Sequence, residues 1–85
     1  MLVYDYVENM LERRIPYLDR HRARVREQMD AGRIVQAGAL GDPPHGGALV
    51  WRGVEEAEIE AFARADPYME AGLITDWRVS KWNLI

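Results

Sequence analysis

The 85-residue chain has no cysteine, one serine, one lysine and only two histidines, and each scarcity removes a class of chemistry. Without thiols there can be no disulfide scaffold, no Cys-ligated metal and no thiol nucleophile. Ser80 sits in no nucleophile elbow. His21 and His45 fall in no two-histidine metal motif, so no metal is expected. Glycines 41, 46 and 47 belong to a hairpin rather than a strand-to-helix turn, so no phosphate cradle is expected and no cofactor is called for. No run approaches 18 apolar residues, which argues against a membrane partner. The N-terminal stretch carries Asp5 and Glu8 where a secretory leader would carry bases, and the chain is expected to be cytoplasmic. Net charge is −3, from 14 acidic and 11 basic residues, which provides no footprint for nucleic acid.

What is present is 48% apolar residues, too many for a disordered chain. A chain of this length buries only about 60 to 65 % of its unfolded surface. Residues 1–85 are therefore expected to form a single domain with a thin core. Met1 to Val7 favours a strand through Val3, Tyr4, Tyr6 and Val7. Asn9 should cap a helical turn that breaks and restarts at Pro16. Beyond it Leu18, Val25 and Met29, with Leu11 and Ile15 before it, mark an amphipathic helix that ends at Gly32. Arg33–Leu40 and Ala48–Arg52 read as a hairpin around the loop 41–47. Val54–Ala65 reads as a second helix, with Val54, Ala57, Ala61, Phe62 and Ala65 inward and Glu55, Glu56, Glu58 and Glu60 at its positive end. Asp66-Pro67 starts a short turn closed by Gly72, and a last strand runs from Thr75 to about Asn83.

The order β-α-β-β-α-β implies an α+β, ferredoxin-like fold, with two helices on one face of a four-stranded antiparallel sheet. Trp77 and Val79 should oppose Trp82 and Leu84, and Tyr4 and Tyr6 should oppose Val3 and Val7. Neither face is plainly polar, so self-association would cover the face without helices.

Seven arginines lie between positions 13 and 33, interleaved with Glu12, Asp19, Glu27 and Asp30. This pattern reads as a solvated, salt-bridged outer helix face. His21 instead falls on the apolar stripe, three residues after Leu18 and four before Val25. Arg14 and Tyr17 lie near the same line. Such an imidazole is either a general acid/base in a cleft, with a cation and a phenol for an anionic or phenolic ligand, or a half-buried histidine bonded to a backbone carbonyl. Asp66 also has two readings: the N-cap of the turn after Pro67, or a carboxylate that reaches His21 and fixes its tautomer. His45 reads as a surface residue, and the three tryptophans as core or interface.

At these residues the chain resembles the YCII-related family of small dimeric α+β barrel proteins. The segments that carry the resemblance are Leu11-Glu12-Arg13-Arg14-Ile15-Pro16 leading to His21, Asp30-Ala31-Gly32-Arg33 with Ala37-Gly38-Ala39-Leu40, Gly41-Asp42-Pro43-Pro44, and Ala65-Asp66-Pro67-Tyr68 with Ala71-Gly72-Leu73. It departs from the family at Arg22, where leucine usually follows the histidine, and at His45, where an acidic or small residue is commoner. The resemblance implies a homodimer whose sheets pair into a barrel, and it implies that His21 and Asp66 form the family's active-site pair. It further implies lyase or dehydrochlorinase chemistry on hydroxylated aromatic compounds. The enzyme reading of these residues expects no cofactor and a small cyclic or phenolic substrate, with Arg14, Tyr17 and Tyr68 as substrate-binding residues. The alternatives are a non-catalytic module that binds a small molecule or partner in the same cleft and, by fold analogy alone, a cofactor-free oxygenase.

Overall fold

Leu2, Tyr4 and Tyr6 alternate along the first strand and turn to one side, and the core is assembled on that side. The computed structural model describes residues 1–82. Its sheet holds β1 (Leu2–Tyr6), β2 (Ile34–Leu40), β3 (Gly46–Trp51) and β4 (Ile74–Val79), in the spatial order β2-β3-β1-β4 with all neighbours antiparallel. The helical segments are α1 (Met10–Arg13), α2 (Leu18–Asp30), α3 (Glu56–Arg64) and α4 (Pro67–Glu70). With β1 paired to β3 and β4 rather than to its sequence neighbour β2, the topology is ferredoxin-like.

One cluster joins Leu2 and Tyr4 to Ile34, Leu49, Ile59, Phe62 and Ala63, with Trp77 and Val79 against it. A second, smaller cluster of Met10, Tyr68 and Leu73 closes the end of the sheet where α4 begins. Two glycines allow β3 to lie close to β1. A Cβ at Gly46 would run into the carbonyl oxygen of Tyr4, and one at Gly47 would run into the Tyr6 hydroxyl. The glycines expected in the turn therefore belong to the strand, and β3 starts two residues before the expected Ala48.

The restart at Pro16 is present as a single 3-10 turn, Ile15–Tyr17, between α1 and α2. Asn9 precedes α1 in a left-handed conformation (φ 59°) with no side-chain cap bond, so its backbone rather than its amide makes the turn. The break has a further consequence: Leu11 and Ile15 do not continue the stripe of α2 and are 47% and 69% exposed. In α3 the inward residues are Ile59, Phe62 and Ala63, whereas Ala57, Ala61 and Ala65 face solvent. Burying isoleucine and phenylalanine removes far more apolar area than a row of alanines can, and the larger side chains set the helix rotation. β4 ends at Val79, and Trp82 lies beyond it, half exposed. The expected continuation to Asn83 and the direction of Leu84 lie outside the described residues.

The sheet face away from the helices is mixed rather than apolar. Val3, Ala48 and Val50 share it with Gln36, Asp5, Asp76 and Arg78, by the cross-strand register. Arg78 and Asp5 form an ion pair there at 3.4 Å.

Close strand approach gives a paired expectation for two glycines of one hairpin. A carbon added at Gly46 meets backbone that cannot move aside. Gly46→Ala should therefore lower the urea midpoint by the equivalent of roughly 1–3 kcal/mol. A carbon added at Gly38 meets nothing within 4 Å. Gly38→Ala should stay within roughly 0.5 kcal/mol of the parent protein, as an unhindered surface substitution does. Equal midpoints for the two variants would show that the approach of β3 to β1 is not constrained at Gly46.

Candidate active site

Asp66 follows α3 in an extended conformation and so becomes the N-cap of α4. Proline at the next position forces that conformation on it. It has no exposed surface. Its Oδ1 accepts from the backbone N–H of Tyr68 at 2.9 Å, and its Oδ2 accepts from the Tyr4 hydroxyl at 3.0 Å. His21, on the inner flank of α2, places Nδ1 3.0 Å from each carboxylate oxygen. The capping role and the His21 contact are therefore the same carboxylate at work, not rival assignments. With Asp66 as acceptor, Nδ1 carries the hydrogen and Nε2 is the nitrogen free to exchange a proton.

The imidazole is held on its face as well as at its edge. The Tyr68 ring stacks on it with centroids 3.9 Å apart and planes 11° from parallel. Tyr6 meets Tyr68 edge-on at 6.0 Å. Tyr68 is 1% exposed, yet its hydroxyl has no hydrogen-bond partner among the described residues. A buried donor of this kind costs about 1–3 kcal/mol if left unpaired.

Burial pushes the Tyr4, Tyr6 and Tyr68 phenols above the ordinary tyrosine range. The Asp66 charge adds to this at Tyr4. At Tyr68 the guanidinium of Arg14 opposes it, from a position short of good hydrogen-bond geometry. All three phenols therefore stay neutral donors at physiological pH.

His21 and Tyr68 open onto a cleft of about 520 Å³ between α2 and the β2–β3 hairpin. Tyr6 and Arg14 stand at the same end, while Ala37, Ala39 and Gly47 leave the wall of the sheet low. Of the residues singled out in the sequence, Arg14, His21 and Tyr68 line the cleft, with Asp66 buried behind His21. Tyr17 does not line it. It packs on the Met10, Tyr68 and Leu73 cluster, with the Arg20 guanidinium 5.8 Å from its ring centre. Tyr17 closes the 3-10 turn Ile15–Tyr17 at the entry to α2 (φ −113°, ψ −10°), just outside the helical register that carries Leu18, His21 and Val25. His45 is exposed, with its ring against Gly41 in the hairpin loop.

Sequence reasoning passed over Tyr4 and Tyr6, whose alternation on one strand face was the available signal. It also misread Arg22 and Arg26, which were assigned to an outward, salt-bridged face. Both line the cleft, and among the described residues neither makes an ion pair. The cleft runs along the flank of α2 rather than beneath it, so residues bordering the apolar stripe reach it. Among the described residues, no group of three His, Asp or Glu side chains is placed to hold a metal, and no helix is long and apolar enough to cross a membrane.

The family model for the YCII-related domain matches residues 1–83. No curated protein matches the chain. Among solved structures, the fold is similar to that of the 5-chloro-2-hydroxyhydroquinone dehydrochlorinase TftG from Burkholderia phenoliruptrix AC1100, in complex with 2,5-dihydroxybenzoquinone. The TM-score is 0.77 at 23% identity, covering 96% of this chain and 91% of that one, a likeness of fold.

Two stability measurements read the network directly. Asp66→Ala should cost roughly 3 kcal/mol or more in urea denaturation, because it strands the Tyr4 hydroxyl, the Tyr68 N–H and the His21 Nδ1–H together. Tyr4→Phe removes one charge-assisted bond, leaves the other two donors in place and should cost about 1.5–3 kcal/mol, less than Asp66→Ala. A smaller loss for Asp66→Ala than for Tyr4→Phe would contradict this convergence. In alkali, the unfolded chain releases its tyrosine protons near pH 10, while the folded chain retains those of Tyr4, Tyr6 and Tyr68. The unfolded state then binds fewer protons, so stability is in full force below about pH 10 and falls as pH rises further. Tyrosinate absorbance in the near ultraviolet should accordingly lag in the folded protein and appear with unfolding.

Proposed function

The chain belongs to the YCII-related domain family, and from that premise we propose that it is a cofactor-independent acid/base enzyme acting on a small hydroxylated cyclic compound, phenolic or quinonoid. The single observation that carries this reading is the imidazole of His21. Its Nδ1 is committed to Asp66, its face to Tyr68, and its remaining nitrogen belongs to a residue lining an open cleft. A half-buried histidine with a purely structural role needs neither the cleft nor the second constraint.

In this reading Nε2 accepts a proton from the bound ring, and Asp66 stabilises the imidazolium that forms. The electron pair left on the substrate either expels a leaving group such as chloride or is reprotonated by His21 at another position. Both outcomes balance without an oxidant or reductant. The Tyr68 hydroxyl and the Arg14 guanidinium stabilise the oxygen on which negative charge develops. The first outcome is the chemistry named for TftG, whose ligand is a hydroxylated quinone.

The assembly proposed with it is a homodimer through the helix-free sheet face. Ala48 and Val50, both half-buried, supply the apolar part of that surface, and Asp5, Asp76 and Arg78 its charges. A chain this small gains from sharing a core, so the thermal midpoint should fall on dilution, in step with dissociation seen by sedimentation. A midpoint independent of concentration across the dissociation range would leave the protomer self-sufficient.

Against chlorinated or hydroxylated quinols, His21→Ala should reduce turnover by about 100-fold or more while the circular dichroism spectrum is retained. Unchanged turnover in that variant would overturn the catalytic assignment. Saturable binding with no product in the parent protein would make the cleft a binding site rather than an active site.

A further inference from the structure

The cleft has a chemical asymmetry that proton transfer at His21 does not use. Along α2, Arg22 follows His21 directly and Arg26 comes one turn later. At about 1.5 Å per residue, the backbone of Arg26 lies about 7 to 8 Å along the helix from that of His21. Arg14 stands at the His21 end, so three guanidinium groups line one cleft, against the single carboxylate of Asp19. No ion pair neutralises Arg14, Arg22 or Arg26 among the described residues. The Asp66 charge is no substitute, because it is buried and already taken by three donors.

The apolar surfaces divide in the same way. At the His21 end stand the Tyr68 and Tyr6 rings, and the buried Tyr68 hydroxyl has no hydrogen-bond partner among the described residues. Toward Arg26 the walls are Val25, Met29 and Ala37, apolar and without hydrogen-bonding side chains, while Ala39 lies opposite Gly47 beside Tyr6. A ligand that filled only the His21 end would leave the Arg26 guanidinium beside an apolar wall with solvent alone as its partner. Arg14 has a role on the reacting ring, but Arg22 and Arg26 do not.

Resting on the acid/base reading of this cleft, we infer that its substrate is a hydroxylated ring bearing a carboxylate, with the ring at His21 and Tyr68 and the carboxylate held by Arg22 and Arg26. The two guanidinium groups are then specificity determinants. They bind a group that does not react and fix which ring position faces Nε2. The total volume of about 520 Å³ leaves room for a single ring with one such substituent.

The test uses two probes that share a ring and differ by the carboxylate: hydroquinone and 2,5-dihydroxybenzoate, titrated calorimetrically into the full chain. The parent protein should bind 2,5-dihydroxybenzoate about tenfold or more tightly than hydroquinone, the scale of a charge-assisted hydrogen bond. Arg22→Gln and Arg26→Gln should each shrink the preference, and together bring the carboxylate probe down to the affinity of hydroquinone. Both side chains are solvent-exposed and unpaired among the described residues, so an unchanged circular dichroism spectrum is expected and checked. Equal affinity of the parent protein for both probes overturns the carboxylate while leaving the acid/base reading intact. A preference that survives the double substitution overturns the assignment to Arg22 and Arg26. Binding of neither probe overturns the reading of the cleft on which the inference rests.

Discussion

Asp66 is a carboxylate with no exposed surface, and the arrangement of the site follows from what it takes to keep it there. Removing a carboxylate from water costs several kcal/mol unless hydrogen bonds replace the lost solvation. The replacements come from three separate elements: the Tyr4 hydroxyl from β1, the Tyr68 N–H from α4 and the His21 imidazole from α2. Each is worth on the order of 1.5–3 kcal/mol when the acceptor is charged. The same contacts tie the end of the sheet to α2 and α4. Folding and site assembly are consequently one event at this residue.

Satisfaction of Asp66 contrasts with the neglect of Tyr68 just beyond it. The backbone of Tyr68 serves the carboxylate, its ring lies flat on the imidazole, and its hydroxyl has no partner among the described residues. One residue thereby couples the buried network to the cleft. The imidazole cannot rotate without breaking either the stack or the bidentate approach to Asp66. This is preorganisation in a concrete sense: the orientation of the imidazole is settled during folding. Burial also keeps the surrounding phenols neutral, so they act as donors and not as competing anions.

The proline at position 16 shows how a local rule can be read correctly and still mislead. Its break in the helix was legible, because proline disfavours a helical residue before it. What the break does to the residues around it was not. Around the 3-10 turn Ile15 stands in solvent and Tyr17 packs on the Met10, Tyr68 and Leu73 cluster, while Arg14 still reaches the wall. The arginines illustrate the complementary error. Interleaved charges on one helix suggest pairing within that helix, yet Arg22 and Arg26 are turned by the lateral position of the cleft into its lining. In α3, likewise, the periodicity of alanines competed with that of Ile59 and Phe62, and side-chain size decided the rotation.

Element order, the ferredoxin-like topology, the inward side of His21 and the boundary at Asp66-Pro67 were determined by the sequence, because each depends on local periodicity, backbone restriction or connection length. The junction of His21 with Asp66 was only permitted by it. Forty-five positions separate those residues, and their contact requires α2 and the α3–α4 corner to settle at one depth over the sheet. That depth is set by packing: Gly46 and Gly47 draw β3 against β1, and Tyr4 projects from β1 far enough to reach the carboxylate. No spacing along the chain encodes such a distance. It is fixed only when the core closes, and with it the assignment of Asp66 as cap and histidine partner at once.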